Sequence, residues 1–214
     1  NDINMTSKKG SYTQGNSKLT AGNDVNVKAG KTVKVSDSTI NAVTGNSTLT
    51  AEGSGSNGNI TISNSTVESA NDTTVKSTKG SQITVKKSNI IAGSDSEGFD
   101  KVKDANDTIG DANIVAAAGS VFISDNSKVL SQDKDVNITA YDTITFGDTD
   151  GVNIDKTTDI NAQHNVNITS KNGNIEGEKT TMPTIKYGDR LTFDAKGDNI
   201  FTSKDSLKSV NVDL

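Results

Sequence analysis

The chain has no cysteine and no tryptophan, one proline (Pro183), one histidine (His164) and one arginine (Arg190). Each shortage removes a class of function. Without cysteine there is no disulfide framework and no thiolate nucleophile. With no second histidine or cysteine to join it, His164 makes neither a zinc site nor a catalytic triad. Hydrophobic residues are 30% of the chain and aromatic residues 4%. Such a composition can leave a chain disordered, because too little apolar surface is available to offset chain entropy. Against that stand a net charge of only -5 and the regular placing of the apolar residues that are present. The mild acidic balance excludes the basic patch of a nucleic-acid binder. No apolar run reaches the length of a membrane span. The missing cysteines have two readings. One is chance; the other is a bacterial protein that stays unfolded until it has crossed a membrane, where disulfides would obstruct passage. The chain starts with Asn1 and shows no signal peptide, so it reads as an excised piece of a larger protein.

What is present is mostly Asn, Ser, Thr, Asp, Gly and Val. Thr and Val favour strands, and Asn, Asp and Gly favour tight turns. Short apolar-x-apolar pairs recur, among them Val25/Val27, Val33/Val35, Ile60/Ile62, Ile83/Val85, Val121/Ile123, Val136/Ile138, Ile144/Phe146, Val152/Ile154, Val166/Ile168 and Leu191/Phe193. Each is a brief period-two alternation, the mark of a strand with one buried face.

The pairs fall into three series. One runs Val33, Ile60, Ile83, Val121, Ile144, Val166, Leu191. A second runs Leu19, Ile40, Val67, Ile90, Val129, Val152, Ile175, Ile200. A third runs Val27, Leu49, Val75, Val115, Ile138, Ile160, Ile185. Steps within a series are mostly about 21 to 27 residues, with one of about 39 shared by all three. A shared jump is what a single insertion into one coil produces, and it maps to residues 93–112. Asp37-Ser38-Thr39-Ile40, Asn64-Ser65-Thr66-Val67, Lys87-Ser88-Asn89-Ile90 and Asn126-Ser127-Lys128-Val129 precede strands of the second series. Such side chains bond to nearby backbone and hold corners. A second phrase, Gly22-Asn23-Asp24-Val25-Asn26-Val27, is echoed at Asp135-Val136-Asn137-Ile138 and Asn165-Val166-Asn167-Ile168.

A coil of this length holds three short strands and three turns. One coil cannot bury enough to stand alone, but stacked coils pair with the coils above and below. The expected fold is therefore all-β: a right-handed parallel β-helix of about 7–8 coils with one inserted loop, in a single domain spanning 1–214. With strands about 4.8 Å apart the rod would be roughly 35 to 40 Å long. A sandwich would need hairpins, and a propeller four strands per blade.

The stretch Leu19-Thr20-Ala21-Gly22-Asn23-Asp24-Val25-Asn26-Val27-Lys28-Ala29-Gly30-Lys31-Thr32-Val33-Lys34-Val35 resembles the repeats of filamentous haemagglutinin-like proteins, the passengers of two-partner secretion in Gram-negative bacteria. The likeness is best over residues 17–92 and 112–177 and fades after Thr180. The family's amino-terminal secretion domain and a carboxy-terminal toxin are not seen. The resemblance implies an exported segment on the bacterial surface, associated with the outer membrane, with a role in attachment, biofilm or virulence. It also implies an outer-membrane transporter as the secretion partner. The expected receptor is a host or bacterial surface protein or glycan; a passive spacer shaft is the alternative. No nucleic acid, membrane insertion or stable oligomer is expected.

Candidate contact residues come from the insertion and one outward aromatic: Asp95, Glu97, Phe99, Asp100, Lys101, Lys103, Asp104, Asp107 and Phe122. Loops on rigid scaffolds commonly carry binding residues, although a tolerated surface loop is the plainer reading. Residues Asp100 to Asp107 could form a short helical turn. Alternation points Phe122 outward, and the insertion is expected to fold back over it through Phe99. Asp95, Glu97, Asp100, Asp104, Asp107 and Asp111 are hard oxygen donors of the kind calcium takes, and Asp148-Thr149-Asp150-Gly151 echoes part of a calcium loop. Neither the EF-hand spacing nor the nonapeptide calcium repeat is complete, so solvated acidic loops are the reading and no cofactor is expected. Polysaccharide-cleaving β-helices need paired carboxylates, or a basic residue near calcium, and aromatic platforms. Here the carboxylates sit in turns, so no enzyme is expected.

Overall fold

The computed structural model describes residues 1–93, 110–147, 158–177, 183–197 and 199–201. Strands of three to nine residues wind into three parallel sheets. Sheet 1 stacks Ile3–Ser7, Val25–Ala29, Ser47–Gly55, Thr73–Gly80, Ala112–Ala116, Val136–Ala140, Asn165–Ser170 and Arg190–Ala195. Sheet 2 stacks Tyr12–Gly15, Val33–Ser36, Ile60–Ser63, Gln82–Lys86, Ser120–Ser124, Ile144–Gly147, Ile175–Gly177 and Asn199–Phe201. Sheet 3 stacks Lys18–Ala21, Thr39–Ala42, Thr66–Ser69, Asn89–Ala92, Lys128–Ser131, Asp159–Ala162 and Thr184–Lys186. Each coil takes one strand from each sheet in turn, so the expected three-strand β-helix is the fold, and it winds to the right.

Alternation decides which residues meet inside. Val27, Leu49, Val75, Ile114, Ile138 and Ile168 stack in register along sheet 1 and are withdrawn from water. Val35, Ile62, Val85, Ile123 and Phe146 do the same along sheet 2, and Ile40, Val67, Ile90, Val129 and Ile160 along sheet 3. Phe146 is the largest fully buried side chain among the described residues; its register partner in the next coil is Gly177, whose missing side chain leaves room beside the ring. Parallel strands buried on one face and tied by their whole backbone to two neighbours suit Val and Ile.

Glycine is required at the sheet 1–sheet 2 corner. A Cβ on Gly80 would fall 2.0 Å from the Gly58 carbonyl oxygen, and one on Gly58 would fall 1.8 Å from that of Gly53. The coil containing Gly53 and Gly58 is enlarged: the strand Ser47–Gly55 runs on into a 3-10 turn, Ser56–Gly58.

Two details differ from the sequence reading. Ile114, not Val115, faces inward; Ala112 and Ala116 share its face, and Val115 stands half-buried outside. The series also slip after Ile144. Val166 pairs with Val136 in sheet 1, Ile175 with Ile144 in sheet 2, and Ile160 with Val129 in sheet 3. Leu191 follows Val166 into sheet 1 and Ile185 follows Ile160 into sheet 3, while Ile200 follows Glu176 in sheet 2. The cause is a second long step. Asp135 and Asn165 are coil neighbours 30 residues apart, where the steps before the first insertion include 21 (Ser17 to Ser38), 27 (Ser38 to Ser65) and 23 (Ser65 to Ser88). The strand at Ile144–Gly147 is not followed by sheet 3 until Asp159, so Val152, assigned to the second series, falls in a stretch outside the described residues. The first insertion gives the expected step of 39, seen between Ser88 and Ser127.

Candidate functional site

Two side-chain ladders run along the corners. At the sheet 3–sheet 1 corner, an Asp or Asn stands just before the first six sheet 1 strands, and Asn165 opens the seventh. The N–H of Asp24 donates to Oδ1 of Asp2 (3.3 Å), that of Asn46 to Asp24 (2.8 Å) and that of Asp72 to Asn46 (3.0 Å). Asp111 donates to Asp72 (2.9 Å), Asp135 to Asp111 (3.2 Å) and Asn165 to Asp135 (2.9 Å). Arg190 takes the equivalent position in the next coil. A short carboxylate or amide reaches backbone within its own turn; here it also reaches the turn of the next coil. Asp2, Asp24, Asp72, Asp111 and Asp135 are among the acidic turn residues legible in the sequence.

At the sheet 2–sheet 3 corner the ladder is serine. The N–H groups of Ser17, Ser38, Ser65 and Ser88 donate to Oγ of Ser38, Ser65, Ser88 and Ser127, at 3.1 to 3.2 Å. Ser38, Ser65 and Ser88 each donate that hydroxyl to the carbonyl two residues back, at 2.7 Å. The residue before each serine, namely Asn16, Asp37, Asn64, Lys87 and Asn126, has positive φ, which turns the chain sharply and leaves its side chain outward. Thr158 and then Pro183 hold the serine position in the following coils, but the ladder stops at Ser127, whose N–H donates to the Ser124 carbonyl at 3.3 Å.

The outward side of the serine corner is a polar groove of about 510 Å³. It runs over four coils, from Asn16 past Asp37 and Asn64 to Lys87, with Thr39, Thr66 and Asn89 on its sheet 3 side. Its side chains are partly fixed by one another. Asn64 Nδ2 donates to Asp37 Oδ1 at 2.6 Å, and Asn89 Nδ2 to Thr66 Oγ1 at 3.4 Å. In the next coil the corner gains a residue, Asp125 joining Asn126 at positive φ, and Lys86 Nζ stands 3.1 Å from buried Asp125 Oδ2. No residue of that larger corner lines the groove. Sequence reading registered the Asp-Ser-Thr and Asn-Ser-Thr phrases as turns but not the groove, because a groove along the rod exists only once the coils are stacked.

Of the residues singled out in the sequence, Asp95, Glu97, Phe99, Asp100, Lys101, Lys103, Asp104 and Asp107 lie outside the described residues, as does the helical turn read at 100–107. Asp148-Thr149-Asp150-Gly151 does too. The foot of the insertion is described. Gly93 and Gly110, both at positive φ, stand side by side: a Cβ on Gly110 would be 3.3 Å from the Gly93 Cα. The Gly93 N–H donates to the Asn71 carbonyl, and the Gly110 N–H to Asp72 Oδ1 at 3.1 Å. Ser131 Oγ donates to the Gly110 carbonyl at 2.7 Å, and Asp133 lies buried beneath both glycines. Asp111, the described member of the proposed calcium set, serves the ladder. Its carboxyl is held above the ordinary aspartate range, chiefly by burial, with Asp72 and Asp135 adding like charge and the Asp135 N–H and Lys134 opposing.

Phe122 is on the outer face of sheet 2, as alternation requires, half-buried between Thr84 and Thr145. The insertion leaves from the opposite corner, between sheets 3 and 1. His164 Nδ1 is 2.5 Å from Asp189 Oδ2 on an exposed turn. Among the described residues no group of three or more His, Cys, Asp or Glu is placed to hold a metal ion, and no helix is long and apolar enough to cross a membrane. No family model, curated protein or solved structure matches the chain.

Proposed function

We propose that this chain is a segment of a bacterial surface adhesin, exported to the cell surface and mediating attachment to host cells, other bacteria or matrix. The observation that carries the reading is the parallel β-helix itself, built from degenerate repeats whose phrasing resembles filamentous haemagglutinin-like passengers. Stability in such a stack accumulates coil by coil, so length is gained without a larger core. Two properties favour a role outside the cell. The absence of cysteine suits passage of an unfolded chain through an outer-membrane transporter. The corner ladders bind each coil to the next with short side chains, which suits a rod that projects.

The contact on this reading is the insertion at 94–109, the longest departure from the repeat, standing on a fixed foot. The second reading is a spacer shaft that carries a distant tip; the unbroken Asp/Asn ladder favours it, since the ladder runs past the insertion without interruption. Attachment of the chain to cells and matrix, measured beside a version lacking 94–109, separates the two. Loss of attachment on deletion supports the insertion as the contact. Equal attachment sinks it, and no attachment by either leaves the spacer. The deletion should keep Gly110 and Asp111, because Asp111 is a rung of the ladder.

A further inference from the structure

We propose that the serine-corner groove is a binding site for a neutral, linear glycan, laid along the rod axis with successive sugar units on successive coils. The volume, about 510 Å³, is in the range of small-ligand sites. The lining is not: apart from Asp37 and Lys87 it is hydroxyl and amide, with no Val, Leu, Ile or aromatic residue. An apolar ligand would find nothing to bury against. Charge narrows the choice further. Asp37 and Lys87 are the only charged residues of the lining and cancel, so a polyanion would meet a carboxylate and a polycation an ammonium. Hydroxyls that both donate and accept answer such a surface best.

Repetition matches a polymer. Asn16, Asp37, Asn64 and Lys87 occupy the same place in four consecutive coils. Parallel strands repeat about every 4.8 Å, close to the length of one pyranose unit. The backbone at each of these positions is set by positive φ, and at Asp37, Asn64 and Lys87 also by the buried serine that follows, so little ordering remains when a ligand binds. The enlarged corner at Asp125 and Asn126 ends the groove, which makes the site finite.

The inference deepens the attachment reading by naming a ligand class, yet the groove can fail alone. The purified chain is titrated with neutral linear oligosaccharides (cello-, chito-, malto- and manno-oligomers) by calorimetry and by side-chain amide NMR. The expected result is saturable binding of at least one series. Asn64→Gly, which suits the positive φ, and Thr66→Val, which keeps the shape, should each weaken it about fivefold, the worth of one hydrogen bond. Thr48→Val, on the outer face of sheet 1, should not, and melting temperatures confirm that the variants fold. No saturable binding by any series overturns the proposal. So does binding that both groove variants leave unchanged, or a preference for acidic oligosaccharides or peptides. A chain that attaches to cells but fails these titrations loses the groove and keeps the adhesin reading.

Discussion

Asp72 Oδ1 accepts two backbone N–H groups from the far side of the insertion, those of Gly110 (3.1 Å) and Asp111 (2.9 Å). One carboxylate oxygen thus closes the coil across a gap of 39 residues in sequence.

Asp72→Ala should be costly and Asp72→Asn mild. Alanine strands two half-buried donors, a loss of about 1–3 kcal/mol, whereas Asn keeps an Oδ1 acceptor, as Asn46 already does in the same ladder. Denaturant midpoints of the two variants check this; equal midpoints would show that the ladder contributes nothing at this coil.

The serine ladder predicts a similar loss for Ser65→Ala. The hydroxyl is buried and accepts the Ser38 N–H at 3.1 Å, so its removal leaves that donor unmet, at about 1–3 kcal/mol. Phe146→Ala should cost about 3–5 kcal/mol through the cavity it opens, since Gly177 beside it has no side chain with which to fill the space. Urea unfolding measures both.

Gly80→Ala tests the glycine corner. The new methyl would lie 2.0 Å from the Gly58 carbonyl oxygen and backbone must move. Overpacking typically costs about 1–3 kcal/mol, and a backbone obstacle puts this variant at the upper end or beyond. A melting temperature equal to the parent's would refute the close packing.

Asp111 and Glu68 both have carboxyl pKa values above the ordinary range, each chiefly through burial, with Lys18 opposing the rise at Glu68. Such a group holds its proton more tightly folded than unfolded. Between its unfolded and folded pKa values the native state carries the extra proton, and stability falls as pH rises through that window. Above it the ionised group subtracts a constant amount. The Asp111→Asn, Glu68→Gln double variant should therefore be at least as stable as the parent at neutral pH, with the advantage shrinking as pH falls to the ordinary carboxylate range. Asp2, lowered chiefly by the hydrogen bond from the Asn23 side chain, acts in the opposite sense at lower pH and is common to both proteins. A difference that grows on acidification contradicts the assignment.

The fold was legible because the inward residues are almost all Val, Ile or Ala at period two, and because three series jumped together at 93–112. Of the first coil only Leu19 was read into a series: Ile3 and Met5 pair with Val25 and Val27, and Tyr12 and Gln14 with Val33 and Val35, but a pair such as Tyr12/Gln14 is not an aliphatic signal. The second slip was missed for a different reason. Val152, outside the described residues, falls about one period after Val129, and counting on from it carried the later assignments into the wrong sheets. Ile114 and Val115 are adjacent aliphatics, and only the partners Val75 and Ile138 decide between them. For the candidate site, Asp24, Asp135 and Asn165 were visible as a recurring phrase. Their bonding was not, because each rung joins residues 22 to 39 apart whose neighbourhood depends on the stack.

The absence of native cysteine allows a direct test of the stack and its second long step. Asn137 and Asn167 are Cα partners on the outer face of sheet 1, with Asn167 Nδ2 donating to Asn137 Oδ1 at 3.0 Å. Neighbouring parallel strands stand about 4.8 Å apart, within the Cα separation a disulfide accepts. Asn137→Cys with Asn167→Cys should oxidise to an intramolecular disulfide in the folded chain, and Thr145→Cys with Asn167→Cys, the pair required by the slipped register, should not. A disulfide in the second pair and none in the first would contradict the register on which the coils, ladders and groove all depend.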